Sequence, residues 1–397
     1  MSGSSELDPK VAGEEQAQDP PERVEEAEPS FFAQPRRIAQ TLLVVLIVVG
    51  AIYVLLPKIV GLDDALATLD EGNPWWIAVA VAFNLLAFAS YVALFRGVVG
   101  EQVIHLEWRE SYQITMAGLA ATRLFSAGGA GGIILTYWAL RKAGMARRQS
   151  ACRMIAFLVM LYAVYLVALI LFGVLLRANV FPGPGPIGLT IVPAALAGAV
   201  IVIFLLIALI PEDAERRMAR FTQGYRFGRF AQRLATAPAT LASGTRTAIA
   251  FVREPQRGGL AVLGAVGFWA ANIAILWASF EAFSVHVPLG VLVQGFFVGM
   301  VANLFPFAPG GVGAVDAGLI GAFVLFGLPS AAVFAAVLIY RLIAFWLPIP
   351  PGIVAFLQLR KTAARWDRER ERGTLPTVAA AGAGANPGAR TSLQKVK

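Results

Sequence analysis

Long apolar runs dominate the chain and restrict what it can fold into. They cover roughly 38–57, 75–95, 112–140, 152–176, 187–210, 258–284, 289–327 and 330–357. Most are near the length of about 20 residues that an α-helix needs to cross a bilayer. The chain is 57% hydrophobic and only 15% charged, which is more apolar surface than a water-soluble domain buries. We therefore expect an all-α polytopic membrane protein.

Lysine and arginine concentrate in some of the connections between runs and avoid others. The segment 211–257 holds nine arginines against four acids, whereas 58–74 holds Lys58 against four acids. Further groups of basic residues contain Arg36, Arg37, Arg141, Lys142, Arg147, Arg148, Arg360, Lys361, Arg365, Arg368, Arg370 and Arg372. Because basic loops stay in the cytoplasm, the pattern predicts a multi-pass protein of the cytoplasmic (cell) membrane with both termini inside.

The same charges suggest the domain boundaries. Residues 1–35 carry nine acids against Lys10 and Arg23 and have no apolar period, which predicts a disordered acidic cytoplasmic tail. A transmembrane domain then covers 36–360, with 211–257 as its cytoplasmic loop. This loop is either an amphipathic helical segment on anionic headgroups or a plain topology signal. Residues 361–397 are basic and then Ala/Gly-rich, and we expect a disordered tail there.

Two of the apolar runs, 112–140 and 289–327, are broken by glycine-rich stretches. The glycine-rich stretches are Gly118-Leu-Ala-Ala-Thr-Arg-Leu-Phe-Ser-Ala-Gly-Gly-Ala-Gly-Gly132 and Gly299-Met-Val-Ala-Asn-Leu-Phe-Pro-Phe-Ala-Pro-Gly-Gly-Val-Gly313. An arginine follows each within the next run, at Arg153-Met-Ile-Ala-Phe157 and Arg341-Leu-Ile-Ala-Phe345. The chain thus repeats one pattern, an interrupted helix followed by an arginine.

The loop charges require the two copies to have opposite orientation. Run 112–140 either enters and leaves on the cytoplasmic side or crosses twice with unusually short spans, and run 289–327 enters and leaves on the outer side. We therefore expect about six full spans plus two oppositely oriented re-entrant helical hairpins, an inverted repeat of the kind that encloses transport sites. The expected hairpin tips are Gly128, Gly129, Gly131, Gly132, Pro309, Gly310, Gly311 and Gly313. The alternative is that these glycines are contacts between packed helices.

Four charged residues within the apolar runs are candidates for a binding site, because a charge inside a membrane is costly unless it faces a polar interior. They are Arg123, Arg153, Asp316 and Arg341. Arginine binds phosphate with two parallel hydrogen bonds, so the pattern indicates an anionic lipid headgroup. Two alternatives stay open: Arg153 is an interfacial anchor, and Asp316 with Arg341 is a purely structural pair. Asn303 is a further polar candidate in the second hairpin.

Other site types lack the residues that they need. One cysteine, Cys152, and two histidines, His105 and His286, exclude a disulfide framework and argue against a metal site. The sequence has no nucleophile with an acid and a histidine and no phosphate-binding loop. We therefore expect no enzyme activity, no cofactor and no nucleic-acid partner.

The motif Phe307-Ala-Pro-Gly-Gly-Val-Gly-Ala-Val-Asp-Ala317, followed by Tyr340-Arg-Leu-Ile-Ala-Phe345, resembles the lysylphosphatidylglycerol synthase transmembrane-region family. This is a flippase-like family of uncharacterised integral membrane proteins. The resemblance covers roughly 38–360 and adds Tyr340 to the candidate site. It implies translocation of a phospholipid or a polyprenyl-linked lipid. Residues 361–397 are too few for the transferase domain of bifunctional relatives, so we expect no synthase activity.

The first copy of the repeat departs from the family pattern. This chain has Ile133 and Cys152 where family members commonly carry acids, and Ala127 where a proline is typical. In the second copy, Asp316 stands where family members usually carry glutamate, so that the charge is kept. The second copy therefore matches the family better than the first.

Together these features predict a lipid flippase or transporter that moves an anionic phospholipid or a polyprenyl-phosphate-linked lipid between leaflets. Arg341, Arg153 and Arg123 would bind the phosphate, and Asp316 would gate Arg341. The alternative is a non-catalytic membrane partner that presents a lipid-linked substrate to a separate glycosyl- or aminoacyl-transferase. The sequence leaves the oligomeric state open.

Overall fold

The computed structural model describes residues 72–100, 106–124, 130–209, 228–301, 311 and 313–372. Within these ranges the regular structure is helical and contains no strand, which confirms the all-α class. In chain order the helices are α1 (Pro74–Val99), α2 (Trp108–Leu124), α3 (Ala130–Lys142), α4 (Arg147–Arg177), α5 (Ile191–Ala208), α6 (Gly228–Arg253), α7 (Pro255–Glu281), α8 (Leu289–Met300), α9 (Ala314–Leu325), α10 (Ser330–Arg341) and α11 (Ile349–Glu371).

Five of the described helices are long and apolar enough to cross a membrane. They are α1, α4, α5, α7 and the continuous helical run Ser330–Glu371, which contains α10 and α11. These helices correspond to five of the six full spans that the apolar runs predict. The remaining run, 38–57, lies outside the described residues. The chain is therefore an integral membrane protein of several apolar helices.

Helices α1 and α7 form the most extensive contact between described helices. The side chain of Asn73 accepts a hydrogen bond from the Trp75 amide at 3.0 Å, and Pro74 occupies the first helical position, so α1 begins sharply. On α7, a Cβ at Gly264 would lie 2.3 Å from the backbone nitrogen of Leu94. The missing side chain lets the two backbones approach closely, as is usual between membrane helices.

The two broken runs form two pairs of short antiparallel helices. In the first pair, α2 and α3, a Cβ at Gly132 would lie 2.4 Å from the carbonyl oxygen of Gly118. In the second pair, α8 and α9, a Cβ at Gly299 would lie 2.6 Å from the Cα atom of Leu319. The link of each pair, 125–129 or 302–312, falls almost wholly outside the described residues.

The last apolar run, 330–357, is helical throughout but not regular. Helix α10 ends at Arg341, a π-helical turn covers Leu342–Trp346, and α11 begins at Ile349. The amide of Leu347 donates to the carbonyl of Leu342 at 3.0 Å, five residues back. Such π turns are rare and occur frequently at functional sites. The irregularity lies directly after the arginine that the repeat identifies.

A polar cluster, made of Glu110, Gln113, Lys142, Thr362, Arg365 and Asp367, joins the first helix pair to α11. The buried carboxylate of Glu110 pairs with Arg365. Thr362 donates a hydrogen bond to the Gln113 side chain at 2.9 Å, and Lys142 pairs with Asp367 at 2.9 Å. Helix α11 therefore continues to Glu371, beyond the expected domain end at 360.

Helix α6 lies within the expected loop 211–257, so part of this loop is helical. It packs against α4, α5 and α7. Residues 210–227 of the loop lie outside the described residues.

Candidate functional site

Arg123 and Arg341 both contact the ring of Phe345. The guanidinium carbon of Arg341 lies 4.5 Å from the ring centroid, and that of Arg123 lies 5.6 Å from it. Both distances fall within the roughly 6 Å range of a cation–π interaction. The ring itself is buried, with 6% of its residue surface exposed. Two cations from different copies of the repeat thus share one aromatic side chain.

Arg123 reaches this position from the last turn of α2. Its Nη2 donates to the carbonyl of Ala344 at 2.8 Å. In a regular helix that carbonyl would accept from the amide four residues later, but Pro348 has no amide hydrogen. The proline therefore leaves an acceptor that the arginine uses. The second terminal nitrogen of Arg123, Nη1, is buried without a hydrogen-bond partner among the described residues.

Arg341 is paired with Asp316 across the second copy of the repeat. Its Nε lies 2.6 Å from Oδ1 of Asp316, and both side chains are almost fully buried. The two atoms form an ion pair but not an aligned hydrogen bond, and Nη2 of Arg341 is also without a hydrogen-bond partner among the described residues. The other oxygen of Asp316, Oδ2, accepts from the amide of Gly313 at 2.8 Å. The carboxylate thus also caps the start of α9, where negative charge is favourable.

The charges around Phe345 do not balance within the described part of the chain. Arg123 and Arg341 bring two positive charges, whereas Asp316 is the one carboxylate that pairs with either of them there. Buried arginine nitrogens without acceptors are uncommon, because each loses its hydrogen bonds to water. The arrangement therefore has the features of an anion-binding site, with an excess of positive charge and free donors.

Tyr340 lies beside this site in an aromatic layer. Its buried ring meets Phe296 edge to face at 5.9 Å between centroids. Phe296 in turn contacts Phe297 and Trp269. This layer of Tyr340, Phe296, Phe297 and Trp269 connects the second repeat to α7.

Arg153 lies apart from the other predicted site residues. It belongs to the second turn of α4, and its Nη1 donates to the carbonyl of Val98 at 2.8 Å. Its guanidinium carbon lies 5.5 Å from the ring centroid of Phe251. Among the described residues, no contact joins it to Arg341. Arg153 thus lies beside the end of α1, away from the site around Phe345.

The predicted hairpin tips are described only in part. Asn303, Gly128, Gly129, Pro309 and Gly310 lie outside the described residues. Gly131 and Gly132 lie in the first turn of α3, while Gly311 and Gly313 precede α9. Gly313 has a φ of 81°, a conformation that side chains disfavour, so α9 begins after a glycine-dependent turn.

Sequence reasoning missed Phe345 and the carbonyl of Ala344. Phe345 ends the repeated pattern Arg341-Leu-Ile-Ala-Phe345, but the pattern does not show that its ring contacts both arginines. The carbonyl could have been found, because a proline within a helical run frees an acceptor four residues earlier. Pro348 gave this signal.

Comparison with known proteins shows what the chain resembles. The model of the family described as "Lysylphosphatidylglycerol synthase TM region" matches residues 41–352. A "UPF0104 membrane protein" of Methanothermobacter thermautotrophicus is 21% identical over 323 residues, which are 78% of this chain and 94% of the relative. Another protein of the same description and organism is 29% identical over 96 residues, which are 24% of this chain and 27% of that relative.

Proposed function

We propose that this chain, which belongs to the lysylphosphatidylglycerol synthase TM region family, moves an anionic lipid between the leaflets of its membrane. The substrate would be an anionic phospholipid or a polyprenyl-phosphate-linked lipid. The observation that carries this proposal is the group of buried, unpartnered donor nitrogens of Arg123 and Arg341 around Phe345.

A phosphate group suits these donors chemically. Guanidinium groups bind phosphate oxygens through charge-assisted hydrogen bonds, which are about twice as strong as neutral ones. A phosphate beside Phe345 would accept from Nη1 of Arg123 and from Nη2 of Arg341, and it would offset the excess positive charge. The low dielectric of the surroundings would strengthen both interactions.

Asp316 would act as the internal competitor for Arg341. While the site is empty, the carboxylate keeps the arginine neutralised, and a bound phosphate would take over part of that role. An exchange of this kind lets a charged headgroup enter and leave without an isolated buried charge at any stage. Release of Asp316 would also loosen the start of α9, because its Oδ2 caps the Gly313 amide.

The two helix pairs would be re-entrant hairpins that enter from opposite faces. Helices α8 and α9 have 12 residues each, about 18 Å of helix against a hydrocarbon core of about 30 Å. Arg123 stands at the link end of its pair and Asp316 at the link end of the other, and both reach Arg341 or its ring partner Phe345. This meeting of the ends supports a shared site at depth. In this proposal both termini of the chain would lie in the cytoplasm, as the loop charges predict.

Reconstitution tests the transport proposal. Purified protein in liposomes should move labelled phosphatidylglycerol or a labelled polyprenyl-phosphate lipid across the bilayer, and it should leave zwitterionic phosphatidylcholine in place. The paired variant Asp316→Asn with Arg341→Gln removes the charges without leaving one partner alone. Since hydrogen bonds to charged groups contribute about 1.5–3 kcal/mol, transport should fall about 10- to 100-fold.

A matched control changes an arginine outside the site. Arg257→Gln breaks an exposed pair with Glu254 at the start of α7 and should leave transport unchanged. If the folded wild-type protein moves none of the anionic lipids, the transport proposal fails, and the protein would instead be a partner that presents a lipid to a transferase.

Cysteine labelling tests the two-sided hairpins. In a Cys152→Ser background, Arg109→Cys and Arg147→Cys flank the first helix pair, and His286→Cys and Ser330→Cys flank the second. All four positions are exposed. An impermeant thiol reagent should label the first two from the cytoplasmic face and the last two from the outer face. Labelling of all four from one face would contradict the inverted arrangement.

A further inference from the structure

An apolar groove lies between α4, α7 and α8, away from the charged site. Its volume is about 450 Å³. One face of each helix lines it, since the lining residues recur at helical spacing, as in Val164, Ala168 and Phe172 of α4. On α7 the lining includes Ala270 and Ala274, whose small side chains leave space beside larger neighbours. None of the described residues that line the groove is charged.

The length of the groove matches one leaflet of a bilayer. Its lining on α7 extends from Val266 to Trp277, a rise of about 16 Å at 1.5 Å per residue. The hydrocarbon core of a bilayer is about 30 Å thick, so one leaflet contributes about half of that. A single acyl chain that lies along α7 would therefore fill the groove.

The groove is open to the surroundings of the helices. Val266 is 46% exposed and Leu289 is 55% exposed, and both belong to its lining. Helices α4 and α7 are long and apolar enough to span a membrane, so we expect lipid beside this opening. The chain of a neighbouring lipid is thus the material that meets the groove directly.

The groove and the charged site lie on two sides of the same aromatic layer. Trp269 and Phe297 line the groove, while Phe296 meets the ring of Tyr340, the residue before Arg341. Two hydrogen bonds hold the aromatic layer in place on the groove side. The Tyr165 hydroxyl donates to the Phe297 carbonyl, and the Trp269 ring nitrogen donates to the Leu161 carbonyl.

We propose that this groove binds one acyl chain of a membrane lipid. Because the groove is continuous with the aromatic layer, we assign this acyl chain to the lipid whose phosphate binds at Arg123 and Arg341. That assignment rests on the proposed function. Binding of an acyl chain in the groove does not rest on the proposed function, since it depends only on the apolar lining of the groove, its length and its opening to lipid.

Photocrosslinking of the wild-type protein tests the groove directly. A phospholipid with a diazirine in its acyl chain is incorporated into liposomes with the protein and activated by light. Mass spectrometry should find crosslinked peptides from the groove faces of α4, α7 and α8. Crosslinks spread evenly over all exposed helix faces, or found only elsewhere, would overturn the proposal.

Variants that fill the groove with a larger side chain provide a second test in the same crosslinking experiment. Ala274→Trp should lower the crosslink yield on α7 at least about tenfold, because the indole occupies the space that the chain contacts. Ala270→Trp, at the exposed edge, serves where the first variant folds poorly. Ala195→Trp is the matched control, since Ala195 is exposed on α5 outside the groove. Equal crosslinking in the filled variants and the wild type would overturn the proposal.

The neutral variant Asp316→Asn with Arg341→Gln separates the two proposals. It should keep the wild-type crosslink while transport falls, because its changes lie behind the aromatic layer. If the wild type transports no lipid and still crosslinks in the groove, the proposed function fails, while the acyl-chain site in the groove is supported. If transport is normal in Ala274→Trp, the bound chain does not belong to the transported lipid.

Discussion

The helix pairs α2–α3 and α8–α9 have similar backbones but different chemistry. Each is a close antiparallel pair with a glycine at the contact, Gly132 in one and Gly299 in the other. The first pair is tied to α11 by the ionic contacts of the polar cluster and brings an arginine, Arg123, to the site. The second pair has Asp316 as its charged residue in the described part, and that residue is already paired.

The two copies of the repeat thus share a backbone arrangement but carry different charged residues. The second copy supplies the ion pair of Asp316 with Arg341, in which the two buried charges neutralise each other. The first copy supplies a cation without a carboxylate partner in the described residues. We infer that Arg123 provides the attraction for an anion and that Arg341 provides an exchangeable contact.

The largest effect is expected for the second copy, when one member of its pair is removed. Asp316→Asn leaves Arg341 buried beside Arg123 without a counter-charge, which should destabilise the protein by about 3–5 kcal/mol. The additional change Arg341→Gln should restore most of that stability. Thermal unfolding of the detergent-purified protein, followed by fluorescence, measures both.

The control for this experiment is an exposed ion pair. Glu254→Gln breaks the pair with Arg257 and should change the stability by less than about 1 kcal/mol. If Asp316→Asn is as stable as this control, the pair is not needed to neutralise Arg341, and the division of charges fails.

A second prediction concerns the scaffold that the two copies share. Gly132→Ala and Gly299→Ala each place a Cβ against neighbouring backbone atoms, and overpacking of this kind costs about 1–3 kcal/mol. Because both pairs use the same close approach, the two variants should lose similar stability in the same thermal assay. Gly321→Ala in α9 is the control, since a Cβ there meets no atom within 4 Å. If Gly132→Ala keeps the wild-type thermal stability while Gly299→Ala loses stability, the first pair is not closely packed.

The smallest effect is expected at the polar cluster, which among the described residues joins the first pair, and not the second, to α11. Glu110→Gln weakens a contact to Arg365 and should cost about 1–2 kcal/mol, because Glu110 is buried. Lys142→Gln breaks a more exposed pair with Asp367 and should cost less than about 1 kcal/mol. Hydrogen exchange of α2 should rise in Glu110→Gln and stay unchanged in α8. Equal changes in α2 and α8 would remove the distinction between the two pairs.

Much of the fold could be predicted because membrane burial leaves a strong mark on sequence. The apolar runs predict the positions of α1, α4, α5 and α7, and the glycine-rich breaks predict the two helix pairs. The π turn after Arg341 could not be placed, since it depends on how α10 and α11 pack around Pro348. The run 330–357 only shows that the segment is apolar.

The sequence predicts which charged residues belong to the candidate site, but not which of them contact each other. Arg123, Asp316 and Arg341 stand out because charges within apolar runs are rare. Arg153 carries the same mark, yet it lies beside Val98 and Phe251. Depth and direction of a side chain come from tertiary packing, which a single sequence does not reveal. For the same reason the repeated pattern that ends at Phe345 does not reveal that this ring contacts arginines of both copies.

The most direct test of the shared site is lipid transport by Arg123→Gln. This variant changes the arginine that has no carboxylate partner in the described residues, and it leaves the pair of Asp316 and Arg341 intact. In liposomes, movement of labelled phosphatidylglycerol should fall about 10- to 100-fold relative to the wild type, with thermal stability nearly unchanged. Wild-type transport of phosphatidylglycerol by a folded Arg123→Gln protein would show that the two copies do not share an anion site.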